Sequence, residues 1–363
     1  MFDFLIVGAG PSGITIAERL ANKGKKCLIL DRRAHIGGNC FDYYDAHGVI
    51  IHKYGPHYFR TNFKDIFDYL SQFTEWIYPF YQVKAFVNGT LYPFPINLDT
   101  LNQYFSLNLD EENMVRYIEN LSSPYKNKEI KNSEDIVISK VGPKIFNDFY
   151  KNYTKKQWGL EPKELDPSVC GRINIRFNQD HRYFDAKYQV YPKYGYTNMF
   201  QKMLASGEKN IKIMLQTDFK EIENEIKYDK LIYTGRIDEF FDYKLGELPY
   251  RSLHFEFETY DTDYFQECLQ INYPNDFDFT RTVEIKHITK QKIPYTTISR
   301  EYPTAHGDPF YPIPTEKNHL LYLEYKKLAQ ELKNIYFIGR LAEYKYLNID
   351  EVILNALKLS ETL

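Results

Sequence analysis

The sequence predicts an α/β protein: a Rossmann-like dinucleotide-binding domain interrupted by an inserted helical subdomain and an antiparallel β-sheet domain. Three observations predict it. A glycine fingerprint, Gly8-x-Gly10-x-x-Gly13, lies between an apolar run and a helical pattern, and an acid, Asp31, closes the next apolar run. Further along, the 363-residue chain passes through helical and then alternating stretches, and apolar runs of the first kind return late in the sequence.

The elements follow in order. Phe4–Val7 reads as a strand, the glycines follow at once, and Pro11–Leu20 has helical periodicity. Gly8 permits the tight turn, Gly10 lets backbone N–H groups approach a pyrophosphate at the helix N-terminus, and Gly13 lets helix and strand pack closely. The second strand, Cys27–Leu30, ends at Asp31, whose carboxylate suits the hydroxyls of an adenosine ribose that carries no 2′-phosphate. The bare fingerprint leaves NAD open. The run through Gly37, Gly38 and Asn39 favours FAD, because it resembles the second glycine pair of the FAD-binding oxidase and mutase lineage, where the chain passes close to the cofactor.

Beyond about Thr74, Val83–Val87 and Thr90–Tyr92 flank Asn88-Gly89 and predict a hairpin. From Leu98 to about Leu160 the apolar spacing is helical, with starts expected at Ser133 and Pro143. Alternation predicts antiparallel strands over Arg172–Tyr194 and Arg251–Tyr302. Asn210–Leu215, Lys230–Gly235 and Ile335–Gly339 read as strands returning to the first domain, the last followed by Arg340 and a helix. The resulting division gives the FAD-binding domain residues 1–78, 195–245 and 325–363, the helical subdomain 98–165, and the antiparallel sheet domain 79–97, 166–194 and 246–324.

Composition narrows the partners. A formal net charge of −3 without a Lys/Arg run argues against nucleic acid or a membrane surface and for small molecules. No apolar stretch approaches the roughly 20 residues that span a bilayer. Met1-Phe-Asp-Phe leads straight into the first strand without a signal peptide, so a cytoplasmic protein is expected. Cys27, Cys40, Cys170 and Cys268 are scattered, with no spacing suited to zinc, and read as reduced thiols with no metal site. The 33 tyrosines suit a sugar and phosphate site, since each ring adds a hydroxyl to an apolar face.

Motifs along nearly the whole chain carry a more specific resemblance: Gly55-Pro-His-Tyr-Phe, Pro95-Ile-Asn-Leu, Tyr153-Thr-Lys-Lys-Gln-Trp158-Gly, Arg172-x-x-x-Arg176-Phe-Asn, Tyr183-Phe, Gly195-Tyr-Thr, Tyr250-Arg-Ser-Leu, Thr280-Arg281, Arg300-Glu-Tyr-Pro, Phe310-Tyr-Pro-Ile-Pro and Gly339-Arg-Leu-Ala-Glu-Tyr-Lys-Tyr346. In order and spacing the chain resembles the bacterial UDP-galactopyranose mutase family. The resemblance implies an isomerase that interconverts pyranose and furanose forms of a nucleotide sugar with no net redox change. The N5 of reduced FAD attacks the anomeric carbon and the nucleotide diphosphate departs and returns. It also implies NADPH or NADH as reductant, reacting without a second nucleotide fingerprint of its own, and a homodimer.

By the same resemblance, Arg172 and Arg281 grip the diphosphate, and Tyr183, Tyr311 and Tyr346 add hydroxyl donors. Tyr153 stacks on uracil, with Phe149, Tyr150 and Gln157 close by and Asn272 reaching the uridine. Trp158 belongs to a lid whose loop, through Gly159, Pro162, Pro167 and Gly171, carries Arg172. His57 lies near the isoalloxazine and Arg340 follows the late Gly339 beside the cofactor. Two positions depart from the family pattern: Arg60 stands where a histidine is usual and Asn348 where an aspartate is usual. Arginine donates several hydrogen bonds and suits an N-acetyl carbonyl, which points to UDP-N-acetylgalactosamine alongside UDP-galactose. A thymidine-linked deoxy sugar stays open. So do two other classes: an FAD-dependent oxidoreductase of the amine oxidase-like lineage, and a silent nucleotide-sugar-binding protein.

Overall fold

Residues 1–363 are described by a computed structural model. The apolar runs assemble into a five-stranded parallel sheet in the order Ile211–Leu215, Cys27–Asp31, Phe2–Val7, Tyr228–Tyr233 and Ile335–Phe337. Parallel strands covered on both faces need apolar residues on both. Phe4, Ile6 and Ile29 accordingly join the main core on one face, while Leu5, Leu28, Leu30 and Leu231 pack with Phe219 on the other. All three late strands expected to return to the first domain are in this sheet. The helices Pro11–Asn22, Tyr196–Ser206 and Ile349–Thr362 pack together on its first face. The Lys23 ammonium at the end of the first helix donates to the Ser360 carbonyl of the last, 2.5 Å away.

Val83–Val87 and Thr90–Phe94 form the expected hairpin, and Asn88 and Gly89 both adopt positive φ, 50° and 80°, as a two-residue turn of this hand requires. The hairpin enters a seven-stranded sheet with order Tyr311–Pro312, Tyr250–Tyr260, Thr296–Thr304, Arg281–Glu284, Gln270–Asn272, Val83–Val87, Thr90–Phe94. This sheet is not wholly antiparallel: Gln270–Asn272 runs parallel to Val83–Val87. A long crossover through the helical region and the parallel sheet separates those two strands, which frees their relative direction from any hairpin constraint.

Arg172–Tyr194 departs further from the alternation. Only Tyr188–Pro192 is a strand, and it pairs with Phe59–Thr61 and Trp76–Ile77 in a separate three-stranded sheet. Residues between Arg172 and Lys187 wind irregularly around Arg176, whose guanidinium holds Asp180 (3.0 Å), Asp185 (2.7 Å) and the Phe184 carbonyl (2.9 Å). Their alternating polarity reflects charges gathered on one arginine, not two faces of a strand.

The helical region comprises Leu98–Phe105, Glu111–Ser122, Ser133–Ile145 and Asn152–Trp158. Asn132, one residue before the expected start, caps the third by accepting from the Asp135 N–H at 2.9 Å. Gly142 breaks that helix with φ 79°, and the chain becomes helical again at Pro143, the second expected start. Phe146–Lys151 then forms one wide, π-type turn that leads into Asn152–Trp158. Such turns recur at functional sites, and this one precedes Tyr153. No helix is long and apolar enough to cross a membrane.

Candidate active site

A groove crosses the C-terminal ends of the parallel strands, lined by Gly8, Gly10, Asp31, Gly38, Asn39, His57, Gly339 and Arg340. Its shape comes from backbone. Gly8 has φ 107°, and a Cβ there would lie 2.0 Å from Thr234 Oγ1. Gly13 does not line the groove; a Cβ on it would stand 2.0 Å from the Gly8 carbonyl oxygen, so it sets the approach of the first helix to the turn. Gly38 passes so near Gly10 that a Cβ would come within 2.9 Å of its Cα. Asp31 is fixed by the Ala9 and Arg33 N–H groups, both at 2.8 Å, and Asn39 by Arg33 at 2.9 Å. A helix N-terminus, a fixed carboxylate and an open path between glycines suit a dinucleotide. Arg340 Nε is buried there without a hydrogen-bond partner, a donor free for a bound ligand.

At the far end of this groove the chain gathers guanidinium groups around tyrosines. Arg172 lies 4.6 Å from the Tyr346 ring centre and Arg340 4.9 Å, and Arg340 also covers Tyr311 at 5.3 Å. Tyr311 and Tyr346 stack with centroids 5.8 Å apart. Loss of hydration pushes the Tyr346 phenol up, but Arg172, Arg340 and Arg281 outweigh it and hold it down at about 8. Tyr183 faces the same group, with burial raising its phenol against Arg172 and Arg281.

Strand register places Arg281 between Asn272 on one neighbouring strand and Glu301 on the other. Arg281 pairs with Glu301 at 2.7 Å; Glu301 is fully buried, and its second oxygen has no partner. Burial raises the Glu301 carboxyl and Arg281 opposes the rise. Asn272 is near Arg281 in register, but it is buried and its Oδ1 accepts from Gln270 at 2.8 Å, which leaves it less free to reach a ligand than the sequence suggested.

Tyr153 projects from the short helix after the wide turn; burial pushes its phenol up to about 12 despite Arg281, with Tyr183, Glu301 and Tyr311 also near. Phe149 and Tyr150, expected beside it as part of an aromatic platform, are packed in the core, Phe149 edge-on to Tyr92 and Tyr104 and Tyr150 against Phe94. Both support the turn from within. Gln157 is buried with an unpartnered Oε1, and Trp158 lies 6.0 Å from Tyr311. The loop after Gly159 brings Arg172 to the Tyr346 ring.

His57 is half-buried and lines the groove. Its Nδ1 is 2.9 Å from the Gly55 carbonyl, and burial, reinforced by His52, lowers the imidazole to about 3, so it is neutral at physiological pH. Arg60 and Asn348, the two departures from the family pattern, meet directly: Arg60 donates to Asn348 Oδ1 at 3.0 Å and lies 4.1 Å over the Phe184 ring. Asn348 is also the N-cap of the helix Ile349–Thr362, where its N–H donates to Glu351 at 2.8 Å.

Several neighbours escaped the sequence reading. Arg33, Thr234 and Arg236 line the groove. Glu301 holds Arg281, and Tyr81 stands behind it with its hydroxyl 3.2 Å from Gln270. Arg251 closes the C-terminal end of the Tyr153 helix by donating to the Gln157 carbonyl at 3.0 Å and the Lys156 carbonyl at 3.3 Å. Glu301 and Arg251 lie inside quoted motifs, yet only strand register reveals what they touch.

A dinucleotide groove that opens, through one shared arginine, onto a cation-rich tyrosine pocket defines a flavoenzyme acting on an anionic, nucleotide-linked substrate. Comparison with known proteins gives the family. Residues 148–346 match the UDP-galactopyranose mutase family model, and residues 6–73 match an NAD(P)-binding Rossmann-like domain. Over 99% of its length the chain is 39% identical to a Klebsiella pneumoniae protein named "Probable UDP-galactopyranose mutase", covering 94% of that relative. It is 36% identical to dTDP-fucopyranose mutase of Escherichia coli, covering 99% of this chain and 98% of that one. The crystal structure of a reduced UDP-galactopyranose mutase superposes with a TM-score of 0.77 at 16% identity, over 99% of this chain and 95% of the other. Putrescine oxidase shares the fold at a TM-score of 0.61 and 11% identity, over 99% and 98% of the two chains.

The chain belongs to the UDP-galactopyranose mutase family and is an isomerase, a flavin-dependent mutase of nucleotide sugars. The family and the flavoprotein folds it resembles support FAD as the dinucleotide. The oxidoreductase alternative is not favoured.

Proposed function

We propose that this mutase interconverts the pyranose and furanose forms of UDP-N-acetylgalactosamine and of UDP-galactose. The observation that carries the reading is Arg340, which lines the dinucleotide groove and also lies over Tyr311 and Tyr346. Arg340 thus joins the groove that would hold FAD to the tyrosine pocket that would take the diphosphate. Bound reduced FAD supplies the nucleophile for the anomeric carbon. The chain supplies position and charge: Arg172 and Arg281 neutralise the departing diphosphate, Tyr183, Tyr311 and Tyr346 donate to it, and Tyr153 offers its face to uracil. Trp158 and the following loop keep water from the open site.

At the sugar end, Arg60 replaces the usual histidine and is braced by Phe184 and Asn348. Its remaining donors suit an N-acetyl carbonyl, which galactose lacks. NADPH or NADH reduces the flavin in this reading, the chain works as a cytoplasmic homodimer, and its furanose products feed polysaccharide and glycolipid synthesis.

The test is product analysis with dithionite-reduced protein and each of the two UDP sugars, with oxidised protein as control. Furanose formed only after reduction is expected from both. Arg60→His should cut turnover of the N-acetyl sugar and spare UDP-galactose; equal loss on both would refute the role of Arg60. Turnover of a dTDP-linked deoxy sugar in place of either UDP sugar would reassign the nucleotide.

A further inference from the structure

Lys156 lies in the Tyr153–Trp158 motif but has no part in the reading above. It is half-buried, and its ammonium is aimed at a ring of carbonyls: Tyr273 at 2.5 Å, Asp276 at 3.0 Å, Phe277 at 3.2 Å and Phe279 at 3.3 Å. Those residues lie in the loop between the strands Gln270–Asn272 and Arg281–Glu284, the last of them two residues before Arg281. An ammonium has three N–H donors, so four carbonyl oxygens at this range share them and the loop is gathered around one point. No carboxylate forms an ion pair with it; its charge is spent on carbonyl dipoles that otherwise have few partners in such a tight loop.

A lighter clasp joins the same two segments. Asn275 Nδ2 donates to the Asp148 carbonyl in the wide turn at 2.9 Å, and Asn152 Nδ2 donates to Asn275 Oδ1 at 3.0 Å. The helix carrying Tyr153 and the loop leading into Arg281 are thus tied from both ends of the helix, although over a hundred residues separate them. Arg251, donating to the carbonyls of Lys156 and Gln157, ties the same helix to the strand Tyr250–Tyr260.

From this geometry we infer that Lys156 is a positioning residue that sets the span between the nucleobase face at Tyr153 and the diphosphate arginine Arg281. The inference rests on the proposed roles of those two residues and goes beyond them. A ligand that bridges both, such as a nucleoside diphosphate, gains from having the two half-sites already at the right separation. A ligand that touches only one half gains nothing from it.

The experiment compares UDP with its two fragments, uridine and inorganic pyrophosphate, on the flavin-loaded protein. UDP is measured by calorimetry and the fragments by ligand-observed NMR. In Lys156→Met, UDP should bind about thirtyfold more weakly, while uridine and pyrophosphate each change less than about threefold. Asn275→Ala should shift the same ratio in the same direction by about threefold, and it decides the matter if Lys156→Met fails to retain flavin. UDP binding unchanged in both variants, or UDP and both fragments weakened alike, would overturn the inference. Should the wild type hold dTDP more tightly than UDP, dTDP and thymidine replace UDP and uridine; the nucleotide assignment then changes while the ratio still tests Lys156.

Discussion

The dinucleotide groove and the guanidinium pocket share Arg340 but are built by opposite means. In the groove, glycines bring one stretch of main chain against another, Gly38 against Gly10 and Gly13 against Gly8, and Gly339 leaves room for the Ser12 side chain. Side chains there mostly steady the backbone. In the pocket the backbone comes from many separate segments, and everything specific comes from their side chains, with Arg60, Arg172, Arg281 and Arg340 set against the buried carboxylate of Glu301. A backbone-built site tolerates almost no added atom yet depends on few chemical groups. A side-chain-built site accommodates small changes of shape and depends steeply on each charge.

Four substitutions sharpen that contrast, beginning with the most severe. Gly13→Ala drives a methyl into the Gly8 carbonyl, and the expected cost is about 3 kcal/mol or more with loss of bound flavin. The flavin absorbance of purified protein and its Tm check this, and a fully flavinated variant would show the groove to be more forgiving than its geometry.

Arg281→Ala leaves the groove alone. It should keep its flavin yet lose about 10³ in kcat. It also strands Glu301 in the interior at a cost of roughly 3–5 kcal/mol, which Arg281→Ala with Glu301→Gln should partly relieve in a Tm comparison.

Arg172, Arg340 and Arg281 hold the Tyr346 phenol down at about 8, and below that pH its neutral phenol can donate to a diphosphate. As pH rises through about 8 the phenolate forms, repels the anion and competes for Arg172. UDP affinity should therefore fall severalfold from pH 7 to pH 9 in the wild type. The same titration should be nearly flat in Tyr346→Phe; a wild-type profile matching that variant would exclude Tyr346 as the titrating group.

Asn348→Ala removes the partner of Arg60 and the Nδ2 donor to Glu351 but keeps the backbone N–H bond to Glu351, and thermal unfolding should show a loss of about 1 kcal/mol. Flavin content stays unchanged.

The same contrast explains what could be read from the sequence. The groove was legible because its residues fall within one strand, turn and helix, where each glycine answers a local constraint. The pocket was legible only through motif resemblance, since nothing local to Arg172 or Tyr346 says they will meet. Glu301 and Lys156 sat in quoted motifs without a role because their partners depend on register and on a loop more than a hundred residues away. Phe149 looked like part of a binding platform but lies inside the wide turn. The alternation over Arg172–Lys187 misled because polar residues there converge on Arg176. Arg60 and Asn348 each looked like a separate departure; a 3.0 Å hydrogen bond makes them one change in two places.

The contact between Lys23 and Ser360 joins residues 337 apart in sequence. While a ribosome extends the chain at roughly 5–20 residues per second, the apolar side of Pro11–Asn22 waits tens of seconds for the helix that covers it. The fifth strand of the parallel sheet and Tyr346 arrive equally late. Newly made chains must therefore complete that face last, with Tyr196–Ser206 covering it only in part until the C-terminal helix arrives. Their demand for chaperones, and their sensitivity to how much cofactor is on hand at release, should exceed what the stability of the finished protein suggests.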